Sequence, residues 1–168
     1  PMVSEDEGCR GKRVKLSVML WSYVHWLIGI SLVFVVLERL FPWRKGQAFL
    51  RPGDAAVYSQ HAFAVYPLAT MARGAAGIEV PARDLGHDLA AMLAAITAAT
   101  RVVFVANPNN PTGTWIDPAA LEGFIAAVPE DVVVVLDEAY NEYLDPARCA
   151  PSAAWVGRYP NLIVSRTF

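Results

Sequence analysis

The chain has 168 residues, 55% hydrophobic and 18% charged, and its 14 basic and 16 acidic side chains give a formal net charge of −2. That balance excludes a disordered charged tail and a nucleic-acid module, which need low hydrophobicity or a basic excess. Cys9 and Cys149 cannot build a disulfide framework, and the three scattered histidines offer no zinc-ligand spacing, so a reduced, cytoplasmic setting is the expectation.

Residues 16–37 form a run of 22 positions without Asp, Glu, Lys or Arg, read as an apolar N-terminal helix long enough to span a bilayer. Lys12, Arg13 and Lys15 precede it and Arg39, Arg44 and Lys45 follow it, so orientation stays undecided. Trp21 and Trp26 fall inside the run, a poor aromatic belt, and the leading cluster Glu5, Asp6 and Glu7 argues against a secretory signal.

From residue 47 onward the texture is that of an α/β protein. Arg51-Pro52-Gly53-Asp54 reads as a turn, residues 56–58 as a short strand and residues 66–73 as a helix ended by Gly74. Residues 78–80 make a second short strand. The Ala- and Leu-rich stretch 89–99 predicts a helix, and RVVFVA at 101–106 predicts a buried strand from its β-branched content. Asp117 followed by Pro118 is an N-cap and first-turn proline, which predicts a helix over 118–127. DVVVVLD at 131–137 is another continuous apolar strand, and residues 162–165 make one more. Strands buried on both faces and alternating with helices predict βαβ units: a mainly parallel sheet with flanking helices, in three α/β/α layers.

In such a sheet ligands bind beyond the carboxyl ends of the strands, which singles out two places. The first is NPNNPTG at 107–113. Its two prolines restrict the loop so that an amide such as Asn110 can be aimed with little freedom, although a plain β-turn loop fits the spacing equally. The second is Asp137-Glu138-Ala139-Tyr140, where a carboxylate ends a strand with no polar residue in the five positions before it. Asp137 either caps the next turn, pairs with an arginine such as Arg166, or meets a ligand. An amide, an acid and a phenol converging on one sheet edge suit a heteroaromatic cofactor with a ring nitrogen and a nearby phenolic oxygen.

NPNNPTG, then DEAY with its Asp137 27 positions after Asn110, then SRTF, together resemble the fold type I pyridoxal-phosphate aminotransferases. YSQHAFAVYPLATMARGA narrows the resemblance to the histidinol-phosphate aminotransferase branch, over residues 48–168. It implies part of the large, cofactor-binding domain and a pyridoxal 5'-phosphate cofactor. Asp137 would accept the pyridinium N–H, Asn110 and Tyr140 would hydrogen-bond the phenolic oxygen, and Phe63 would stack on the ring. His61 and Tyr66 are read as supporting packing. The implied reaction moves an amino group between glutamate and imidazole acetol phosphate, small-molecule substrates of a cytoplasmic homodimer; the charge balance excludes nucleic acid as a partner, and membrane association through residues 16–37 is the minority reading. The alternatives are another fold type I aminotransferase or lyase acting on aromatic amino acids, and a membrane-anchored non-catalytic module.

The departures from the pattern carry their own expectations. The Schiff-base lysine of the family belongs to a Ser-Lys pair beyond Phe168, and the only lysines here are Lys12, Lys15 and Lys45, so no catalytic residue is assigned and the chain alone is expected to be inactive. The substrate-binding arginine and a phosphate-binding arginine would also lie downstream. The segment that cradles the cofactor phosphate should precede Ala48, where the apolar run stands instead. Residues 1–46 are therefore read as a divergent segment, either a membrane-spanning piece or the product of a frame change, and the abrupt change of texture favours the second. Residues 47–168 are read as a partial large domain.

Overall fold

The structure is a computed structural model and describes residues 49–167. The apolar run at 16–37, with its membrane-spanning reading, lies outside the described residues. Among the described residues no helix is long and apolar enough to cross a membrane.

Five short runs, the central ones rich in valine, form one sheet: β1 (Ala55–Ser59), β2 (Ala76–Val80), β3 (Thr100–Ala106), β4 (Val133–Asp137) and β5 (Leu162–Ser165). Their order is β2-β1-β3-β4-β5 and every pairing is parallel. Parallel neighbours need crossovers, which carry helices α1 (Val65–Ala72), α2 (Leu89–Ala94), α3 (Pro118–Ala127) and α4 (Ser152–Trp155). The α3 start follows its sequence signature: Asp117 accepts from the amides of Ala119 and Ala120, with Pro118 in the first turn. After α1 the chain turns at Gly74, whose φ of +69° favours glycine and whose N–H donates to the Met71 carbonyl.

Two expectations need correction. The helix read over 89–99 ends at Ala94, because the Thr97 amide donates to Thr100 Oγ1 at 2.9 Å and the Ala99 amide to Thr97 Oγ1 at 3.3 Å. These side-chain bonds compete with the helical pattern and start β3 instead. Nor is every strand buried on both faces. Val57, Val103, Val105, Val134 and Leu136 pack against Met92 of α2, Leu121 and Phe124 of α3 and Trp155 of α4, forming the main core on one face. The other face carries smaller clusters, including Tyr58 and Ala106 with Tyr66 of α1, and leaves Val133 and Val135 only half-buried. Helix α1 packs against β1 and β2, so that face of β4 has less cover.

The register decides where a site can form. Ala106 pairs with Asp137, and Asp137 with Ser165, so the carboxyl ends of β3, β4 and β5 stand side by side. From β1 the chain moves outward to β2 and then returns to the other side as β3. That reversal leaves a crevice at the strand ends, the usual ligand position in open α/β sheets.

Candidate functional site

Three asparagines in the loop after β3 do three different jobs. Asn107 closes the base of the loop, its Oδ1 accepting from the Ile116 amide at 2.8 Å and its Nδ2 donating to the Ile116 carbonyl at 3.2 Å. Asn109 is buried, and its Nδ2 donates to the His61 carbonyl at 2.9 Å and to Thr112 Oγ1 at 2.7 Å. Asn110 turns outward, where its Nδ2 donates to Tyr140 Oη at 3.2 Å. Both Asn–Pro peptide bonds of this loop are cis. Gly113 takes a φ of +68°, which lets the loop fold back and its N–H reach the Asn109 carbonyl at 2.8 Å.

Asp137 ends β4 and receives two donors on different oxygens. The Ala139 amide donates to Oδ1 at 3.1 Å, and the Tyr66 hydroxyl donates to Oδ2 at 2.6 Å. Burial first, then the hydrogen bond to Asp137 and its negative charge, push the Tyr66 phenol far above the ordinary tyrosine range, so it stays a donor at any working pH. Glu138, one position on, points to the opposite face of the sheet. Its Oε2 accepts from Ser152 Oγ at 2.8 Å and pairs with Arg166, whose Nη2 lies 2.8 Å away.

These elements enclose a cavity of about 320 Å³ lined by Phe63, Tyr66, Asn110, Asp137, Tyr140 and Ser165, among others. A second cavity of about 380 Å³ adjoins it, shares Asn110 and Tyr140, and is bordered by the exposed Tyr143. All four residues singled out in the sequence therefore line one cavity. Asp137 caps the turn at Ala139, as one reading had it, but Arg166 pairs with Glu138 and not with Asp137. Tyr66, read as packing, is in addition the hydrogen-bond partner of the acid. His61 contributes its backbone carbonyl. The signal for Tyr66 was its phenol at a core-facing position, since a buried tyrosine hydroxyl needs a partner. The resemblance singled out Asn110, but nothing in the sequence pointed to the bridge that Asn109 makes to His61.

Comparison with known proteins gives this geometry a family. The family model for aminotransferase class I and II matches residues 46–168. The chain belongs to that family. Within the class I and II aminotransferases it is 64% identical over 121 residues to histidinol-phosphate aminotransferase 1 of Cupriavidus pinatubonensis, covering 72% of this chain and 32% of that protein. It is 62% identical over 122 residues to histidinol-phosphate aminotransferase 2 of Ralstonia nicotianae, covering 73% of this chain and 33% of that protein. Among solved structures, histidinol-phosphate aminotransferase from Sinorhizobium meliloti, in complex with pyridoxal-5'-phosphate, superposes with a TM-score of 0.66 at 32% identity, over 71% of this chain and 32% of that one. Aspartate aminotransferase from Thermus thermophilus with maleate gives 0.63 at 27% identity, over 71% of this chain and 32% of that one. The chain thus spans about a third of the length of the relatives it matches.

Proposed function

We propose that the protein to which this chain contributes is a histidinol-phosphate aminotransferase, and that residues 49–167 supply the part of its site that faces the ring of pyridoxal 5'-phosphate. The observation that carries this reading is the convergence of a carboxylate, an amide, a phenol and an aromatic ring on one cavity, in a chain 64% identical to a histidinol-phosphate aminotransferase.

The residues fit the cofactor ring. A cavity of about 320 Å³ lies within the range of small-molecule sites, roughly 300–1,000 Å³. A carboxylate offers about four lone-pair positions, and Tyr66 and Ala139 occupy only two of those on Asp137. Asp137 can therefore still accept a ring N–H and keep that nitrogen protonated. Asn110 and Tyr140, already 3.2 Å apart, form a donor pair for a phenolic oxygen. Phe63 supplies an aromatic wall. Bound pyridoxal phosphate supplies the electron sink for the charge left when the substrate Cα loses its proton. No lysine or arginine lines the cavity among the described residues, so the phosphate, the substrate carboxylate and the covalent lysine are assigned to other segments of the full-length protein. The same reading makes that protein a cytoplasmic homodimer handling small amino-acid and phosphate substrates.

The test is the half-reaction of the protein that carries this segment, measured with histidinol phosphate and with phenylalanine. A preference for histidinol phosphate of at least about tenfold in kcat/KM, about 1.4 kcal/mol, is the expected result. A preference for the aromatic amino acid would move the protein to the aromatic branch.

A further inference from the structure

We propose that Tyr66 is a positioning residue for Asp137: its hydroxyl fixes the plane of the carboxylate so that the remaining lone pairs face the cavity, while its ring supports Phe63. The proposal rests on the reading of Asp137 as the acceptor of a ring N–H, and deepens it.

The hydroxyl is delivered to a fixed point. Tyr66 is 5% exposed and its ring lies parallel to Phe104 of β3, with centroids 4.7 Å apart and planes 5° from coplanar. Phe63 meets the same ring edge-on at 5.9 Å and 88°. The backbone is held as well, with the Tyr66 amide donating to the Phe63 carbonyl at 3.0 Å and the Tyr66 carbonyl accepting from Thr70 Oγ1 at 2.8 Å. A phenol packed this way has little rotamer freedom left to lose, so its 2.6 Å hydrogen bond to Asp137 comes at small entropic cost.

Asp137 needs that second anchor. With only the Ala139 amide on Oδ1, the carboxylate could rotate about its last bond. A donor on each oxygen sets the plane. The chemistry of the donor matters too: a cation in place of the phenol would pair with the charge of Asp137, whereas a neutral hydroxyl orients the carboxylate and leaves its charge for a protonated ring nitrogen. Packing alone would be served equally by phenylalanine.

The experiment uses the full chain with pyridoxine 5'-phosphate, which has no aldehyde to react with Lys12, Lys15 or Lys45, and with the analogue in which the ring nitrogen is replaced by CH. Dissociation constants are measured by fluorescence quenching on the wild type, Tyr66→Phe and Asp137→Ala, with thermal melting of each. The wild type is expected to bind the nitrogen-containing ring at least about tenfold more tightly than the CH analogue. Tyr66→Phe should cut that preference severalfold, toward about threefold, with the affinity for the CH analogue changed less than about twofold. Equal weakening toward both ligands, or no change toward either, overturns the positioning role. A wild type that does not prefer the nitrogen ring, or binds neither ligand, overturns the reading of Asp137 beneath it, as does an Asp137→Ala variant that keeps the preference.

Discussion

The side-chain amide of Asn109 donates to the backbone carbonyl of His61 at 2.9 Å, joining two loops 48 positions apart in sequence. One loop follows β1 and carries Phe63; the other follows β3 and carries Asn110. The two walls of the cavity are thereby held at one spacing. Replacing Asn109 with alanine strands the part-buried His61 carbonyl, while the Thr112 hydroxyl keeps Thr114 Oγ1 at 3.1 Å. A loss of about 1–3 kcal/mol is expected in urea unfolding. A change below about 0.5 kcal/mol would mean that the bridge does not constrain the loops.

Asn110 should behave in the opposite way. It is only half-buried, and its one side-chain bond goes to the 42% exposed Tyr140, so removing it leaves little stranded. Asn110→Ala is expected to alter stability by no more than about 0.5 kcal/mol and to weaken pyridoxine 5'-phosphate binding about three- to tenfold, read by fluorescence titration. Tyr140→Phe should give a smaller loss of the same sign. Unchanged affinity in both variants would remove the pair from the cofactor reading.

Most of the sheet was legible because valine runs and turn signals are local properties. β5 was read over the residues it occupies, and so was α3 with its Asp117 cap. What escaped depends on distant partners. Four-residue α4 has no periodicity to detect, yet it brings Ser152 to Glu138. The alternation of β4 pointed to the outcome at its end: Leu136 faces the main core, so Glu138, two positions on, faces it too and needs a buried partner. The choice of Arg166 required the β4–β5 register. The motif resemblance picked out Asn110, whereas the bridging role of Asn109 depends on the neighbouring loop that carries His61.

The Glu138 carboxylate is 1% exposed and depends on Arg166 and Ser152 for its partners. Arg166→Met leaves a nearly buried charge with a single hydroxyl donor. Breaking a buried pair costs about 3–5 kcal/mol; because the Arg166 side chain is 36% exposed, about 2–4 kcal/mol is expected here, measured by chemical denaturation. Glu138→Gln in the Arg166→Met background should recover part of it, since an amide is less costly to bury than a lone carboxylate. If the double variant is no more stable than Arg166→Met, the pair is not what stabilises this corner.

His87 gives the chain a pH dependence. Its Nε2 lies 2.9 Å from the Ala106 carbonyl oxygen and 3.2 Å from the Ala106 amide nitrogen, so either tautomer finds a partner, while the buried Nδ1 has none. Burial lowers the imidazole below its ordinary value of 6.5, and the bond to Ala106 opposes this only in part. The unfolded chain therefore binds a proton more readily than the folded one. The stability His87 contributes is complete above about pH 6.5 and is lost as pH falls through the folded value, with a slope of at most about 1.4 kcal/mol per pH unit for one proton. His87→Gln should flatten the difference between urea unfolding at pH 7.5 and at pH 5.5. An unchanged pH profile in that variant would assign the acid sensitivity to other groups.

The lysine distribution yields a last prediction. Lys12, Lys15 and Lys45 are the only lysines, and none falls within the family match at 46–168. An aldehyde held beside Asp137, Asn110 and Tyr140 has no amine from the described residues to condense with, since the nitrogen side chains there are amides, guanidiniums, indoles and imidazoles. After incubation of the 168-residue chain with pyridoxal phosphate and reduction with borohydride, peptide mapping should find label only on those three lysines and the N-terminal amine. Labelling should fall in parallel with added free amine, as for solvent-accessible groups. A borohydride-stable label on any residue after position 47 would refute the assignment of the covalent step to a lysine outside the described residues.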